Sequence, residues 1–171
     1  VYETFAKGRP KAYEEALEAL IPQIRKQYED QWAKINSSSK ATWPIVFNKA
    51  MQLEKKFVEA GGKLMVGTDP TGYGGVIAGF ANKRMIELLY EAGFSVEEVI
   101  KLSSLNGAIY LEREKEIGSV KVGKKADLVL IDGDLTKDIS AIRKMEVVFK
   151  NGIGYDSQML INKTKNVVGL H

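Results

Sequence analysis

Gly61-Gly62-Lys63-Leu64-Met65-Val66-Gly67-Thr68-Asp69-Pro70-Thr71-Gly72-Tyr73-Gly74-Gly75 decides how the rest of this chain is read. A glycine pair stops a preceding helix, the apolar run that follows is too brief for a helix of its own, and it halts at an acid, a proline and a glycine-rich loop. The pattern predicts a buried strand over residues 64–68 with a carboxylate, Asp69, at its C-terminal end. In parallel α/β folds, ligands and chemistry gather at the carboxyl ends of strands, where loops vary while the sheet fixes their origin. Asp69 is thus the first candidate site residue, although from local sequence alone it reads more readily as a helix N-cap or an Asx turn ahead of Pro70.

Working upstream, residues 1–5 are β-prone and end at the turn signal Lys7-Gly8-Arg9-Pro10, which predicts the last residues of a strand. From Lys11 to Ile35 the apolar positions Ala16, Leu17, Leu20, Ile21, Ile24, Tyr28, Trp32 and Ile35 recur at helical spacing, and Pro22 is expected to kink or split that helix. Asn36-Ser37-Ser38-Ser39 is a polar break. A further helix begins near Thr42 with Pro44 in its first turn and carries Val46, Phe47, Ala50, Met51, Leu53, Phe57 and Val58 to the glycine stop.

Downstream, residues 81–92 read as a helix ended by Gly93, and Ser95-Val96-Glu97-Glu98 is a capping box opening another, followed by a short helix over 104–111. Residues 117–135 alternate β-prone runs with Gly and Asp turns. Met145 to Lys150 reads as a strand, and Asn151-Gly152 marks a hairpin. Helices therefore dominate residues 1–114 and a small antiparallel β unit dominates residues 115–171, which is the expected domain boundary.

Composition narrows the function classes. The 171 residues can bury a sizeable core, and 44% hydrophobic with 27% charged residues is ordinary for a globular domain. The net charge of +3, from 25 basic and 22 acidic residues that are interspersed, offers no basic patch for nucleic acid. No apolar run approaches the ~20 residues of a membrane span, so neither a nucleic acid nor a membrane is an expected partner. The absence of Cys excludes disulfides and thiol catalysis, and the single His is the terminal His171, so this stretch cannot build a usual transition-metal site alone. Cysteine usage leaves the compartment open between cytoplasm and export.

Taken together in order, Gly67-Thr68-Asp69, the glycine-rich loop, Glu87-Leu88-Leu89-Tyr90-Glu91-Ala92-Gly93-Phe94-Ser95, Asn106-Gly107-Ala108, the run from Ile117 to Val129 and Asn151-Gly152 resemble the C-terminal part of the metal-dependent amidohydrolase superfamily, nearest its imidazolonepropionase-like and prolidase-like branches. The resemblance implies an α/β fold class: the last part of a TIM-type β/α barrel plus the C-terminal strands of a small β-sandwich. Such enzymes hold one or two divalent metals, usually zinc, through a His-x-His pair, a Lys or Glu, further His residues and the Asp of the last barrel strand. Only that Asp has a counterpart here, Asp69, and the other ligands would lie upstream of Val1.

The resemblance assigns Asp69 as metal ligand and proton shuttle in a hydrolase acting on amide, peptide or cyclic amide bonds. It also implies a small-molecule substrate and an N-terminal barrel portion, in the same protein or a separate chain, without which this stretch is inactive. Homo-oligomerisation is left open. Thr71 and Tyr73 are candidate substrate contacts or plain connecting turn. Arg84 is a candidate carboxylate binder or part of a solvated helix face. Lys124, Lys125 and Asp127 read as structural. The alternative to the hydrolase is a catalytically dead binding or scaffold module that keeps the sandwich and the last barrel strand.

Overall fold

Eight helices and three strands account for the regular structure of the computed structural model, which describes residues 2–8, 13–37, 41–68 and 79–169. The helices are α1 (Tyr2–Lys7), α2 (Tyr13–Leu17), α3 (Pro22–Ser37), α4 (Trp43–Glu59), α5 (Phe80–Glu91), α6 (Val96–Ser103), α7 (Leu105–Tyr110) and α8 (Ser157–Lys163). The strands are β1 (Leu128–Ile131), β2 (Met145–Lys150) and β3 (Ile153–Asp156), with a 3₁₀ helix at Ile139–Arg143 ahead of β2. The chain divides into two compact units, one comprising Val1–Glu54, Gly67–Met85 and Thr164–His171, the other Lys55–Val66 and Ile86–Lys163. Among the described residues no helix is long and apolar enough to cross a membrane.

In the first unit the expected helix over 11–35 is split, as its proline requires. α2 ends at Leu17 and α3 starts on Pro22, a position where the missing N–H breaks no intrahelical bond. The core is Ala16, Leu17 and Leu20, each at most 2% exposed, packed against by Ile24, Tyr28, Trp32 and Phe80. The backbone groups left open between α2 and α3 are met by the C-terminal tail. Asn166 donates to the Glu18 carbonyl, Val167 and Val168 to that of Ala19, and Ile21 to that of Val168, forming a parallel bridge between Leu20 and Val168.

Residues 2–7 form a helix, which corrects the strand expected over 1–5. The cause is tertiary. Glu3 and Thr4 are buried, and Glu3 pairs with Arg84 of α5, so a long-range ion pair overrides a weak local β preference. The aromatic residues of this part pack unevenly: Trp43 stacks on Phe5 with ring centroids 4.7 Å apart and Phe47 is buried, whereas Phe57 stays about half exposed.

The second unit has its own core of Leu89, Phe94, Val99 and Leu102, flanked by Val58, Leu64, Val66, Ile86 and Ala92. Two glycine stops shape it. At the end of α4 Gly61 takes φ +88°, its N–H reaches the Val58 carbonyl and that of Gly62 reaches Phe57; at the end of α5 Gly93 takes φ +97° and Phe94 turns back into the core. Ser95 caps α6 in a complete capping box with Glu98. The sheet is antiparallel in the order β1-β2-β3, with Val129 opposite Val148 and Val148 opposite Tyr155, and Asn151-Gly152 forms the tight turn, both at positive φ. Of the β-prone stretch 117–135 only Leu128–Ile131 becomes a strand. This sheet is what the structure offers where the resemblance implied sandwich strands.

Candidate active site

Residues 62–68 alternate between partly buried and exposed side chains along their whole length, the period-2 signature of an extended chain, with Leu64 and Val66 turned to the core. No ladder partner joins them among the described residues and Met65 is 44% exposed, which corrects the buried strand expected over 64–68: the segment is extended, packed on one side and unpaired along its backbone. Its polar groups are met by helices instead. Val66 N–H donates to the Leu102 carbonyl at 3.3 Å, and Asn106 Nδ2 donates to the Leu64 carbonyl at 2.6 Å. In the first unit the Thr68 hydroxyl donates to Asn82 Oδ1 at 3.1 Å. The residue after Thr68 is Asp69, and Asp69, Thr71 and Tyr73 all lie outside the described residues.

Arg84 is placed by α5 and is 6% exposed, so it does not belong to a solvated helix face. Its Nε and Nη2 donate to Glu3 Oε1 at 2.8 and 2.5 Å, and that carboxylate occupies the fork a substrate carboxylate would use. Its neighbour Lys83 lies 5.6 Å from the centre of the Phe80 ring.

The conspicuous motif residues of the second unit hold backbone or one another. Glu87 is 3% exposed and takes a parallel bidentate fork from Arg143, Nε to Oε1 at 2.5 Å and Nη2 to Oε2 at 2.8 Å. Lys124 Nζ reaches the carbonyls of Glu114 and Ile117 and the Ser119 hydroxyl, closing an irregular loop. Asp127 accepts from Lys150 Nζ at 2.6 Å and from the Asn151 amide at 2.8 Å, tying the start of β1 to the hairpin turn. The Lys150 ammonium, then the Asn151 amide, holds the Asp127 carboxyl below the usual aspartate range. The Ser95 amide, then Lys55, likewise lowers Glu98. The structural reading of Lys124 and Asp127 agrees with these contacts, whereas the buried pairing of Glu87 and the partly buried hydrogen bond of Asn106 had no local signal in the sequence.

A divalent metal needs several carboxylate or imidazole ligands converging on one point. Among the described residues no group of three or more His, Cys, Asp or Glu side chains does so. The described residues therefore do not fit a metal centre by themselves.

Known proteins match this arrangement. The amidohydrolase family model matches residues 46–154. A 5'-deoxyadenosine deaminase of Methanobrevibacter smithii is 35% identical over 81 residues, 46% of this chain and 19% of that protein. An imidazolonepropionase of Shouchella clausii is 38% identical over 74 residues, 41% of this chain and 17% of that protein. The chain thus matches less than a fifth of the length of these two relatives. Among solved structures, phenylurea hydrolase B shares the fold with a TM-score of 0.56 at 22% identity, covering 95% of this chain and 39% of that one. These likenesses are to proteins of the TIM-barrel type, and the mixed α/β structure is consistent with a part of such a fold. With the family model spanning well over half of its 171 residues, the chain belongs to the amidohydrolase family.

Proposed function

We propose that these 171 residues are the C-terminal part of a hydrolase that cleaves carbon–nitrogen bonds of amides, peptides or cyclic amides, with Asp69 as the catalytic carboxylate contributed by this stretch. The observation that carries the proposal is the family match over residues 46–154, which spans Asp69 and the glycine-rich loop after it. The relatives named as a deaminase and an imidazolonepropionase support the bond class. Leu64, Val66 and Thr68, which precede Asp69 in sequence, each have a named hydrogen-bond partner.

The same reading makes the complete enzyme metal-dependent, with zinc the expected ion. With no Cys and no His but His171 in the sequence, its ligands besides Asp69 would come from polypeptide beyond this stretch, and the stretch alone would be inactive. That polypeptide would complete the barrel and contribute to the sandwich, with residues 1–114 in the barrel and 115–171 in the sandwich portion. The surface of α4 supports such a requirement: Val46, Leu53 and Phe57, spaced along the helix, are 44%, 69% and 49% exposed. A carboxylate that moves a proton between water and a leaving amine contributes about 10²- to 10⁴-fold to rate. Within the proposal Thr71 and Tyr73 line the substrate pocket, whereas Arg84 contacts substrate only if Glu3 releases it.

The test uses the complete polypeptide containing these residues, assayed against amide, dipeptide and cyclic amide substrates with metal content measured in parallel. Asp69→Asn should lower kcat by about 10²-fold or more while leaving the unfolding midpoint near wild type. Turnover equal to wild type would overturn the assignment of Asp69, and a complete protein that binds no metal and hydrolyses none of the panel would favour the scaffold module instead.

A further inference from the structure

In a strand, the carbonyl of residue i and the N–H of residue i+2 point to the same edge, and a parallel neighbour meets both with the N–H and C=O of one of its residues. Leu64 and Val66 are such a pair. The corner between α6 and α7 supplies a carbonyl from Leu102 to Val66 and a side-chain N–H from Asn106 to Leu64. A helix's last carbonyls are open to outside donors, which is why Leu102 can accept, and among the described residues the donor that meets Leu64 is a side chain. The primary amide of Asn106 provides it at 2.6 Å, from a partly buried position 42 residues further along the chain.

We propose that Asn106 is a positioning residue: with the Leu102 carbonyl it imitates a neighbouring strand and sets the register of Leu64–Val66, the stretch that precedes Asp69 in sequence. The hydrogen bond stands on its own geometry, while its value for catalysis rests on the hydrolase reading. The requirement is for a donor. Leu64 offers a carbonyl, so an acceptor at position 106 would repel it and an apolar group would leave it unsatisfied beside the packed Leu64 and Val66 side chains. Asn106 of the motif Asn106-Gly107-Ala108 thereby acquires a function in the fold, holding the backbone of Leu64.

The experiment reads hydrogen exchange rather than turnover, so it can fail independently of the hydrolase reading. In the wild-type chain the Asn106 side-chain amide and the Val66 backbone amide should both be protected. In Asn106→Asp the carboxylate faces the Leu64 carbonyl at pH 7, and Val66 should exchange about tenfold faster than in wild type, the loss expected for one net hydrogen bond. Protonating that carboxyl restores an O–H donor, so the gap to wild type at the same pH should narrow as the pH falls through the ordinary aspartate pKa of about 3.9. Charged groups common to both proteins, such as the Lys55–Glu98 pair, cancel in that ratio. Asn106→Leu should show a similar loss with no recovery on acidification. An unprotected Asn106 amide in the wild type, or an Asp variant whose exchange ratio does not change with pH, would overturn the proposal, and the first of these needs no variant to fold.

Discussion

Each unit buries one arginine–glutamate pair, and α5 contributes to both, with Arg84 in the first unit and Glu87 in the second. The geometries differ. Arg143 and Glu87 form a two-oxygen fork with the Arg143 side chain 18% exposed, whereas Arg84 sends two donors to a single oxygen of Glu3 and both side chains are at most 10% exposed. The fork joins α5 to the 3₁₀ helix ahead of β2, inside the motif-rich unit; the other pair joins α5 to α1. Glu87 sits in the motif Glu87-Leu88-Leu89 and Arg84 was a candidate ligand binder, and each is engaged with a side chain of another helix. A charged residue in a family motif therefore informs on chemistry only once its partner is known, and here the partners are internal.

The largest effect that tests this contrast is Arg84→Met. It leaves Glu3 buried without its cation, which costs about 3–5 kcal/mol of folding free energy, and exchange protection should fall first in α1 and α5. A variant with wild-type stability but a raised KM in the complete protein would break the comparison and return Arg84 to substrate binding. Next comes Glu87→Ala. Because Arg143 retains some solvent access, the loss should sit at the low end, about 3 kcal/mol, with protection lost around Ile139–Arg143 and β2. Urea unfolding followed by residue-resolved exchange reads both. Losses of equal size and identical distribution would show that the two pairs do not serve separate units.

What could be read from the sequence follows the same division between local and distant causes. The capping box of Ser95 and Glu98, the stops at Gly61 and Gly93 and the Asn151-Gly152 turn are decided within a few residues, and each forms as expected. The helix α1 is decided by a contact spanning 81 residues, which no window over residues 1–5 contains. α8 was missed although its signal is local, since Asp156 Oδ1 accepts from the Met159 amide as a cap would. For the site, the inward packing of Leu64 and Val66 was legible, because it follows from their own hydrophobicity, whereas the exposure of Met65 departs from the buried strand expected. That helices rather than strands would satisfy those backbone groups was not legible, since the donor is the side chain of Asn106, far along the chain.

The smallest effect concerns Asp127, whose pairs are at the surface, with the Lys150 side chain 65% exposed. Its carboxyl is lowered in the folded chain by Lys150 and the Asn151 amide, so the unfolded chain binds more protons between the folded and unfolded values. The stabilisation is therefore complete above the ordinary aspartate pKa of about 3.9 and is lost as the pH falls through the lower folded value. In Asp127→Asn the side-chain oxygen can still accept from Asn151, but the titration is gone. Urea midpoints should place the wild type slightly above the variant at pH 7, with the difference vanishing in strong acid and shrinking in high salt, as surface pairs do. A gap that stays constant from neutral pH to strong acid would mean that Asp127 acts through its hydrogen bonds alone, and the contrast between charged and neutral fastening of the hairpin would disappear.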